Sequence, residues 1–285
     1  MGIPNPPPKE VVPGQQMYEP ALGLAPGLGR MKGRRILVVG GGQRKTVDDD
    51  MPMGNGRGIS RVLGREGASV AILDSSLEAA NNVVNEICAD GGKALPVVLD
   101  VLDHAAIPGA VERVAKELGG LDGLVLNVGK TSIPFQQVAV DEWDTVFAIN
   151  VRSHMLFARK ALEVMDEGSS IILVSSLAAL RPGSRQTAYE ASKAAQLQLT
   201  RSIALEGEPR GIRCNCLVLG LIDTGMGRDE GRRRPDRALT MPFGRQGTGW
   251  EVGYAALFLL SREASYVNAQ DMRVDGGHFY GVLRR

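Results

Sequence analysis

Cysteine is scarce in this chain, which contains only Cys88, Cys214 and Cys216 among its 285 residues. No two of them have the C-x-x-C spacing, so the sequence predicts neither a disulfide framework nor a redox or zinc pair. The chain also lacks an apolar run of about 18 residues and a charged-then-apolar leader, so neither a membrane span nor a signal peptide is predicted. These absences favour a reducing, cytoplasmic setting.

An excess of charge of one sign is also missing. The 33 basic residues nearly balance the 32 acidic residues, which leaves a net charge of +1. No overall field would attract nucleic acid or an anionic membrane, and we expect neither as a partner. Hydrophobic residues make up 44 % of the chain. That content is enough to build a substantial core in one large domain.

The first 30 residues lack the periodicity of a helix or a strand. They hold seven of the 15 prolines in the chain. Such a segment cannot bury enough apolar surface to offset the entropy of ordering it. We therefore expect residues 1–30 to form a mobile or surface-draped arm, and residues 31–285 to form a single domain.

From Arg34 onward, short β-branched runs alternate with longer amphipathic segments. Nearly continuous apolar strands with helices between them are typical of a parallel sheet covered on both faces. We predict an α/β fold with a doubly wound parallel sheet of about seven strands, whose ligand crevice lies at the carboxyl ends of the strands. The predicted strands are 35–39, 69–73, 95–99, 122–126, 170–174, 212–218 and 271–274. The predicted helices are 55–66, 76–89, 104–118, 141–165, 187–207 and 249–261.

A glycine-rich stretch follows the first predicted strand, but ten residues, 44–53, interrupt it. If "VVGGGQ" is joined to "GNGRGIS", then Gly40, Gly54 and Gly56 form a G-x-x-x-G-x-G pattern between a strand and a helix. Glycines permit a tight turn and close approach of a pyrophosphate, and the helix that begins near Asn55 offers unpaired amides. The pattern predicts a dinucleotide-binding turn. A glycine-rich turn without a ligand is the alternative.

An acidic residue ends the second predicted strand. Asp74 lies 20 residues after Gly54, where a carboxylate accepts hydrogen bonds from an adenosine ribose. Since a carboxylate there also repels a 2′-phosphate, Asp74 favours NAD over NADP. The nearby basic residues Arg44, Lys45 and Arg57 leave NADP open.

The inserted residues, Arg44–Met53, include three consecutive aspartates. One hypothesis directs Arg44 or Lys45 toward the pyrophosphate and turns Asp48–Asp50 outward, because carboxylates close to phosphate are repelled. The other hypothesis is a surface loop with no cofactor role. We predict no metal site here, because adjacent side chains point apart and no further ligand accompanies them.

A second pattern concerns Tyr189 and Lys193, which lie one turn apart on one face of a predicted helix. Ser176 ends a strand 13 residues before Tyr189. A phenol with a pKa near 10 is a weak acid at neutral pH, but a neighbouring ammonium lowers that pKa toward the working range. Ser176 would then donate a hydrogen bond to the reacting oxygen. Taken alone, a Tyr and a Lys at this spacing occur often by chance and favour the interpretation as a surface pair.

Taken together, "VVGGGQ…GNG", "LVLNVG", "FAIN", "VSS", "YEASK" and "RVDGG" resemble the short-chain dehydrogenase/reductase family over residues 32–278. The resemblance implies a Rossmann-type fold and an oxidoreductase that acts on CH–OH groups with NAD or NADP. It implies a catalytic tetrad of Asn150, Ser176, Tyr189 and Lys193, in which Asn150 holds a water that links Lys193 to solvent. The cofactor contacts that it implies are Gly40, Gly54, Asn55, Gly56, Asp74, Asp100, Val101, Asn127, Gly129, Tyr189, Lys193, Ile222 and Thr224.

The resemblance also places a mobile substrate lid at about residues 224–247, an Arg-rich segment. An anionic substrate is one explanation for these charges, and a solvated loop is the favoured one, since charge runs usually face water. The predicted substrate wall comprises Ser132, Leu177, Arg181 and Leu221.

The sequence therefore predicts an NAD-preferring oxidoreductase that interconverts a small secondary alcohol and a ketone. The family resemblance also implies a homotetramer or dimer, formed by pairing the helices at 141–165 and 187–207. An NADP-dependent carbonyl reductase and a non-catalytic dinucleotide-sensing protein are the alternatives.

Overall fold

The computed structural model describes residues 6–43, 51–228 and 241–281. Seven parallel strands form one sheet in the order β3-β2-β1-β4-β5-β6-β7. The order reverses beside β1, as it does in doubly wound dinucleotide-binding folds, so the predicted fold class is confirmed. The strands are β1 Arg35–Val39, β2 Ser69–Asp74, β3 Lys93–Val98, β4 Gly123–Leu126, β5 Ser170–Ser176, β6 Arg213–Leu219 and β7 Asp271–Val274.

Helices cover both faces of this sheet. Alternate residues of a strand point to opposite faces, so Ile36 and Val38 belong to one core layer while Leu37 and Val39 belong to the other. Both layers are almost fully apolar, which explains why the strands are continuous apolar runs. Within the described part of the domain the helices are α1 Asn55–Arg65, α2 Leu77–Ala89, α3 Ile107–Leu118, α4 Val140–Phe147, α5 Ser153–Val164, α6 Thr187–Gly207 and α7 Gly249–Leu260.

The helix predicted at 141–165 is not uniform. A π-helical turn, Ala148–Arg152, separates α4 from α5. Within this turn the carbonyl oxygen of Asn150 accepts a hydrogen bond of 2.7 Å from Gln196 Nε2 on α6. A π-turn widens the helix and frees carbonyl groups for such partners, and it is frequent at functional sites.

The described part of the N-terminal arm, residues 6–30, packs against the domain. Met17 is only 1 % exposed and Ala21 is also buried. Arg245 donates hydrogen bonds of 2.9 Å to the carbonyls of Gln15 and Gln16, and Thr248 Oγ1 donates to Ala21 O. Met17 and Ala21 thus bury apolar surface that the pattern of the arm does not predict, because the partners of the arm come from the far end of the chain. None of the helices in the described ranges has the length and apolar character needed to span a membrane.

Candidate active site

A cleft of about 660 Å³ opens at the carboxyl ends of the central strands. This is the edge where the sequence predicts a ligand crevice. Most of the predicted site residues meet here, although they come from six different segments of the chain. The predicted residues that line the cleft are Gly40, Gly54, Asn55, Asn127, Gly129, Ser176, Leu177, Tyr189, Lys193, Leu221, Ile222 and Thr224.

The glycine turn after β1 brings two backbones into contact. Gly40 has φ of +76°, a conformation that favours glycine. A Cβ on Gly56 would lie 2.0 Å from the carbonyl oxygen of Gly40, and Asn127 Nδ2 donates a 2.7 Å hydrogen bond to the same oxygen. Gly56 therefore packs the first turn of α1 against β1 and does not itself line the cleft. The resulting cradle, with Gly54 and Asn55 at its rim, fits a pyrophosphate.

The predicted adenosine contacts lie beyond the cleft wall, at the ends of β2 and β3. Asp74 Oδ1 accepts a 3.0 Å hydrogen bond from Ser76 N, and a Cβ on Gly42 would lie 2.7 Å from Asp74 Oδ2. The Asp74 carboxylate thus borders the glycine turn. Asp100 is exposed and accepts a hydrogen bond from Leu102 N, whereas Val101 is buried.

Lys193 and Tyr189 lie side by side on α6. Lys193 Nζ is 5.6 Å from the centroid of the Tyr189 ring and donates a 2.7 Å hydrogen bond to Val174 O on β5. Burial lowers the pKa of Lys193 from its ordinary 10.5 to about 8. The Lys193 ammonium is therefore held next to the phenol of Tyr189, and the pKa of this ammonium is close to neutrality.

Ser176 and Asn150 complete the predicted tetrad from two other elements. Ser176 is the last residue of β5, and its Oγ accepts a 3.2 Å hydrogen bond from Ala178 N. Asn150 is fully buried, with its side chain bound to the main chain of Lys130 in both directions. A Cβ on Gly129 would lie 3.4 Å from Lys193 Nζ and 3.6 Å from Asn150 Oδ1. Both polar atoms therefore face the same glycine.

Two of the four predicted substrate residues lie outside the cleft wall. Ser132 is buried, and its Oγ accepts a 3.1 Å hydrogen bond from Tyr189 N, so it caps the start of α6. Arg181 is exposed and donates to His278 O at 3.3 Å. His278, which the sequence did not predict, lines the cleft instead.

Several residues that organise the site escaped prediction from the sequence. Fully buried His154 contacts Val128 O through Nε2 and Gln196 Nε2 through Nδ1, and burial together with the Lys193 charge lowers its pKa to about 3. Glu190 binds the loop at Gly183 and Ser184. These residues have no local signature, because their partners are 6 to 42 residues away in the chain.

Some predictions fall outside the described residues. They concern Arg44, Lys45 and Asp48–Asp50 in the insertion, and residues 229–240 of the predicted lid. At the start of that lid, Arg228 forms a 2.8 Å ion pair with Asp223. Within the described ranges, His, Cys, Asp and Glu residues form no group of three that could hold a metal ion.

The chain is similar to known dehydrogenases over most of its length. Residues 52–278 match the family model described as Enoyl-(Acyl carrier protein) reductase. A cyclopentanol dehydrogenase from a Comamonas species is 37 % identical over 257 residues, which cover 88 % of this chain and 99 % of that protein. A sorbitol dehydrogenase from Cereibacter sphaeroides is 31 % identical over 268 residues, with 88 % and 99 % covered.

A solved structure supports the same relationship. A short-chain dehydrogenase from Burkholderia cenocepacia, crystallised in complex with NADP, aligns with a TM-score of 0.79 and 31 % identity. The match covers 87 % of this chain and 99 % of that chain. Together with the strand order and the Tyr189–Lys193 pair, these similarities confirm the predicted resemblance and enzyme class. The chain belongs to the short-chain dehydrogenase/reductase family and is an NAD(P)-dependent oxidoreductase that acts on CH–OH groups.

Proposed function

We propose that this protein is an NAD-preferring dehydrogenase that interconverts a small secondary alcohol and a ketone. The proposal rests on one observation above all. Ser176, Tyr189 and Lys193 converge in a single cleft that is also lined by Gly40 and Gly54 of the glycine turn. Proton-transfer groups and a pyrophosphate cradle in one cleft are what alcohol oxidation by a dinucleotide requires.

In this proposal Tyr189 exchanges the proton with the substrate oxygen, and the Lys193 ammonium stabilises the phenolate. Ser176 Oγ donates a hydrogen bond to that oxygen and polarises the carbonyl. Asn150 supports a water-mediated path between Lys193 and solvent. The glycine turn, Asn127 and Thr224 would hold a nicotinamide dinucleotide, which when bound would supply or accept the hydride.

The cleft wall favours a compact and mostly apolar substrate. Leu177, Leu221 and Met226 contribute apolar surface, while Ser184 and Gln186 contribute polar groups. The similarity to a cyclopentanol dehydrogenase supports the same class. A panel of secondary alcohols and ketones that includes cyclopentanol, cyclopentanone and sorbitol, followed by the absorbance of the reduced nicotinamide, tests this choice.

The position of Asp74 supports NAD over NADP. Its carboxylate borders the glycine turn at Gly42, where it would bind the ribose hydroxyls and repel a 2′-phosphate. Arg57, which could have favoured NADP, forms a 2.6 Å ion pair with Glu86.

We predict that Asp74→Ser lowers the ratio of kcat/KM for NAD to that for NADP by at least about tenfold, since one close charge repulsion is lost. The measurement is initial rates with each cofactor. Glu78→Gln, which removes an exposed carboxylate in α2, should leave the ratio unchanged. A ratio that Asp74→Ser does not alter would contradict the role of Asp74 in cofactor choice.

We predict that Tyr189→Phe lowers kcat by roughly a thousandfold, because a positioned acid/base group contributes on the order of 10²–10⁴ to the rate. Cofactor affinity, measured by calorimetry, should stay within twofold of the wild type. The exposed Tyr266 offers a matched control, and Tyr266→Phe should retain full turnover. Substantial activity in Tyr189→Phe would refute the catalytic assignment.

Two other functions make different predictions for the wild-type protein. An NADP-dependent carbonyl reductase would show a higher kcat/KM with NADP than with NAD, in the direction of ketone reduction. A non-catalytic dinucleotide sensor would bind the cofactor but turn over no member of the panel. The convergence of Ser176, Tyr189 and Lys193 in one cleft favours turnover over sensing, and the comparison of the two cofactors decides between the dehydrogenase and the reductase.

A further inference from the structure

The glycine turn stays closed although ten residues, 44–53, separate its two halves. The side chain of Gln43 spans this gap in the described structure. Its Oε1 accepts a 2.7 Å hydrogen bond from Gly54 N, and its Nε2 donates a 2.9 Å hydrogen bond to Pro52 O. One side-chain amide thus connects the residue before the insertion to Pro52, near the end of the insertion, and to Gly54, the residue that follows it.

The main chain of Gln43 is anchored as firmly as its side chain. Its N–H donates a 3.0 Å hydrogen bond to Ala79 O, and its carbonyl oxygen accepts a 3.2 Å hydrogen bond from Asn82 Nδ2. Both partners belong to α2, which packs against α1 and β2. The neighbouring Gly42 fits so closely that a Cβ there would lie 2.8 Å from the backbone of Ala79. Gln43 therefore fixes Pro52 and Gly54 relative to α2, because its main chain is bound to α2 and its side chain is bound to these two residues.

Gly54, the residue held by Gln43, is the N-cap of α1. Gly54 and Asn55 both line the cleft, and the amides that follow them form the positive end of the helix. In an uninterrupted turn, a peptide bond would fix the distance from residue 43 to Gly54. Here the side-chain amide of Gln43 provides that connection.

We propose that Gln43 is a positioning residue for dinucleotide binding, which clamps the two halves of the interrupted glycine turn at the distance that the pyrophosphate requires. This inference rests on the proposed cofactor site. Gln43 also lines the cleft, so a direct contact between its amide and the cofactor is the competing explanation. The two explanations differ in what happens when the insertion is removed.

The test compares Gln43→Met in two backgrounds, the full chain and a chain that lacks residues 44–53. In the shortened chain Gln43 is joined to Gly54 by a peptide bond, so no gap remains for the amide to span. We expect Gln43→Met to raise the Kd for NAD roughly tenfold in the full chain, as the loss of two hydrogen bonds implies. In the shortened chain we expect less than a twofold change. At saturating NAD, kcat should be unaffected in both.

An equal loss of affinity in both backgrounds would overturn the clamp in favour of a direct contact. No loss in the full chain would overturn it as well. Gln270→Met, which removes an exposed amide beside β7, is the matched control and should change neither the Kd nor kcat.

Amide hydrogen exchange of the full chain without cofactor provides a second readout, which remains informative if the shortened chain fails to fold. The clamp predicts faster exchange at Gly54 in Gln43→Met and unchanged exchange in α7. Unchanged exchange at Gly54 would refute the clamp, because the position of Gly54 would then not depend on the side-chain amide of Gln43. A wild-type chain that binds neither NAD nor NADP would instead refute the proposed function, before any Gln43 comparison is made.

Discussion

Burial of the Lys193 ammonium favours proton exchange near neutral pH but lowers the stability of the fold. Lys193 is 4 % exposed, and its Nζ donates to the carbonyl of Val174. Burial lowers the pKa of the ammonium to about 8, which suits a group that exchanges protons near neutrality. The same burial costs stability, because the native state holds this proton less tightly than the unfolded chain does.

We predict that Lys193→Met abolishes turnover and changes how stability depends on pH. A fall of the pKa from 10.5 to about 8 corresponds to roughly 3 kcal/mol of lost stability at pH values where Lys193 is protonated in both the folded and the unfolded chain. In the wild type this cost is complete below pH 8 and is relieved as the pH rises from about 8 to 10.5. Denaturant unfolding of both cofactor-free proteins across this range measures the difference.

The free energy of unfolding of Lys193→Met, relative to the wild type, should therefore decrease by roughly 3 kcal/mol between these two pH values. A difference that stays constant over this range would contradict a depressed pKa. The lost hydrogen bond to Val174 O shifts the two curves by a constant amount and does not affect this test.

Glu190, which follows Tyr189 on α6, acts at the same scale. Its Oε1 accepts hydrogen bonds from Gly183 N at 3.1 Å, Ser184 N at 2.8 Å and Ser184 Oγ at 2.7 Å. Burial raises the pKa of Glu190, but these hydrogen bonds outweigh it and lower the pKa below its ordinary value. The carboxylate thus fixes the loop that carries Ser184 and Gln186 into the cleft.

We predict that Glu190→Ala raises the KM for the alcohol about tenfold, because a loop that loses several charge-assisted hydrogen bonds no longer forms a fixed wall. The Kd for NAD should not change, since the glycine turn lies elsewhere. Steady-state kinetics with varied alcohol, together with calorimetric titration of NAD, separates the two effects. Glu206→Ala removes an exposed carboxylate of the same helix and should resemble the wild type. An increase in the Kd for NAD would count against a local role.

At the scale of elements, the arm and α7 form one unit. Thr248 caps α7 in a capping box with Glu251, and Arg245 forms a 2.6 Å ion pair with the same Glu251. Both Thr248 and Arg245 also bind arm carbonyls. The arm thus covers the start of α7 and the segment that leads into it from the predicted lid.

We predict that removal of residues 1–22 lowers Tm by roughly 5–10 °C. The loss of the buried Met17 side chain costs about 2 kcal/mol, and each lost hydrogen bond to an arm carbonyl costs about 1 kcal/mol. Turnover at 25 °C should stay within a few-fold of the wild type, because the arm residues lie outside the cleft wall. Removal of residues 1–11 alone, of which the described part is mostly exposed, should leave Tm unchanged. Thermal unfolding followed by circular dichroism measures both, and equal Tm values for the two truncations would contradict this role of the arm.

At the scale of the whole molecule, the outer face of α6 is suited to association. Ala194 is exposed, its neighbours Ala191 and Ala195 are half-buried, and Leu205 on the same helix is 70 % exposed. Small side chains permit a second helix to approach closely, and an exposed leucine is favourable to cover. We propose, as the family resemblance implies, that copies of the chain pair through this helix and the segment predicted as a helix at 141–165, as a homotetramer or a dimer.

We predict that Ala194→Arg reduces the mass measured by light scattering to that of a smaller assembly, because the long charged side chain prevents close helix packing. Ala105→Arg, an exposed position before α3, is the matched control and should keep the wild-type mass. A wild-type monomer would contradict the pairing directly. An assembly that tolerates Ala194→Arg would place the interface elsewhere.

Much of the fold and part of the site could be predicted from the residues alone. Leu37 and Val39 lie in apolar runs whose length indicates buried parallel strands, which predicted the doubly wound fold, whereas the order of the strands comes from the structure. Tyr189 and Lys193 are four residues apart on one helix, so their proximity is a local property. The hydrogen bond from Tyr189 N to Ser132 Oγ could not be predicted, because the two residues are 57 positions apart and nothing near Ser132 in the sequence indicates it.

The sequence by itself determined the strands, the glycine turn and the Tyr189–Lys193 pair, because each depends on periodicity or spacing over a few residues. Only the tertiary structure decided how the interrupted turn is closed by Gln43 and how the arm is held by Arg245, 230 residues from Gln15. Hydrogen bonds between such distant groups form only when several elements have packed. Their donors and acceptors therefore carry no local signal in the sequence.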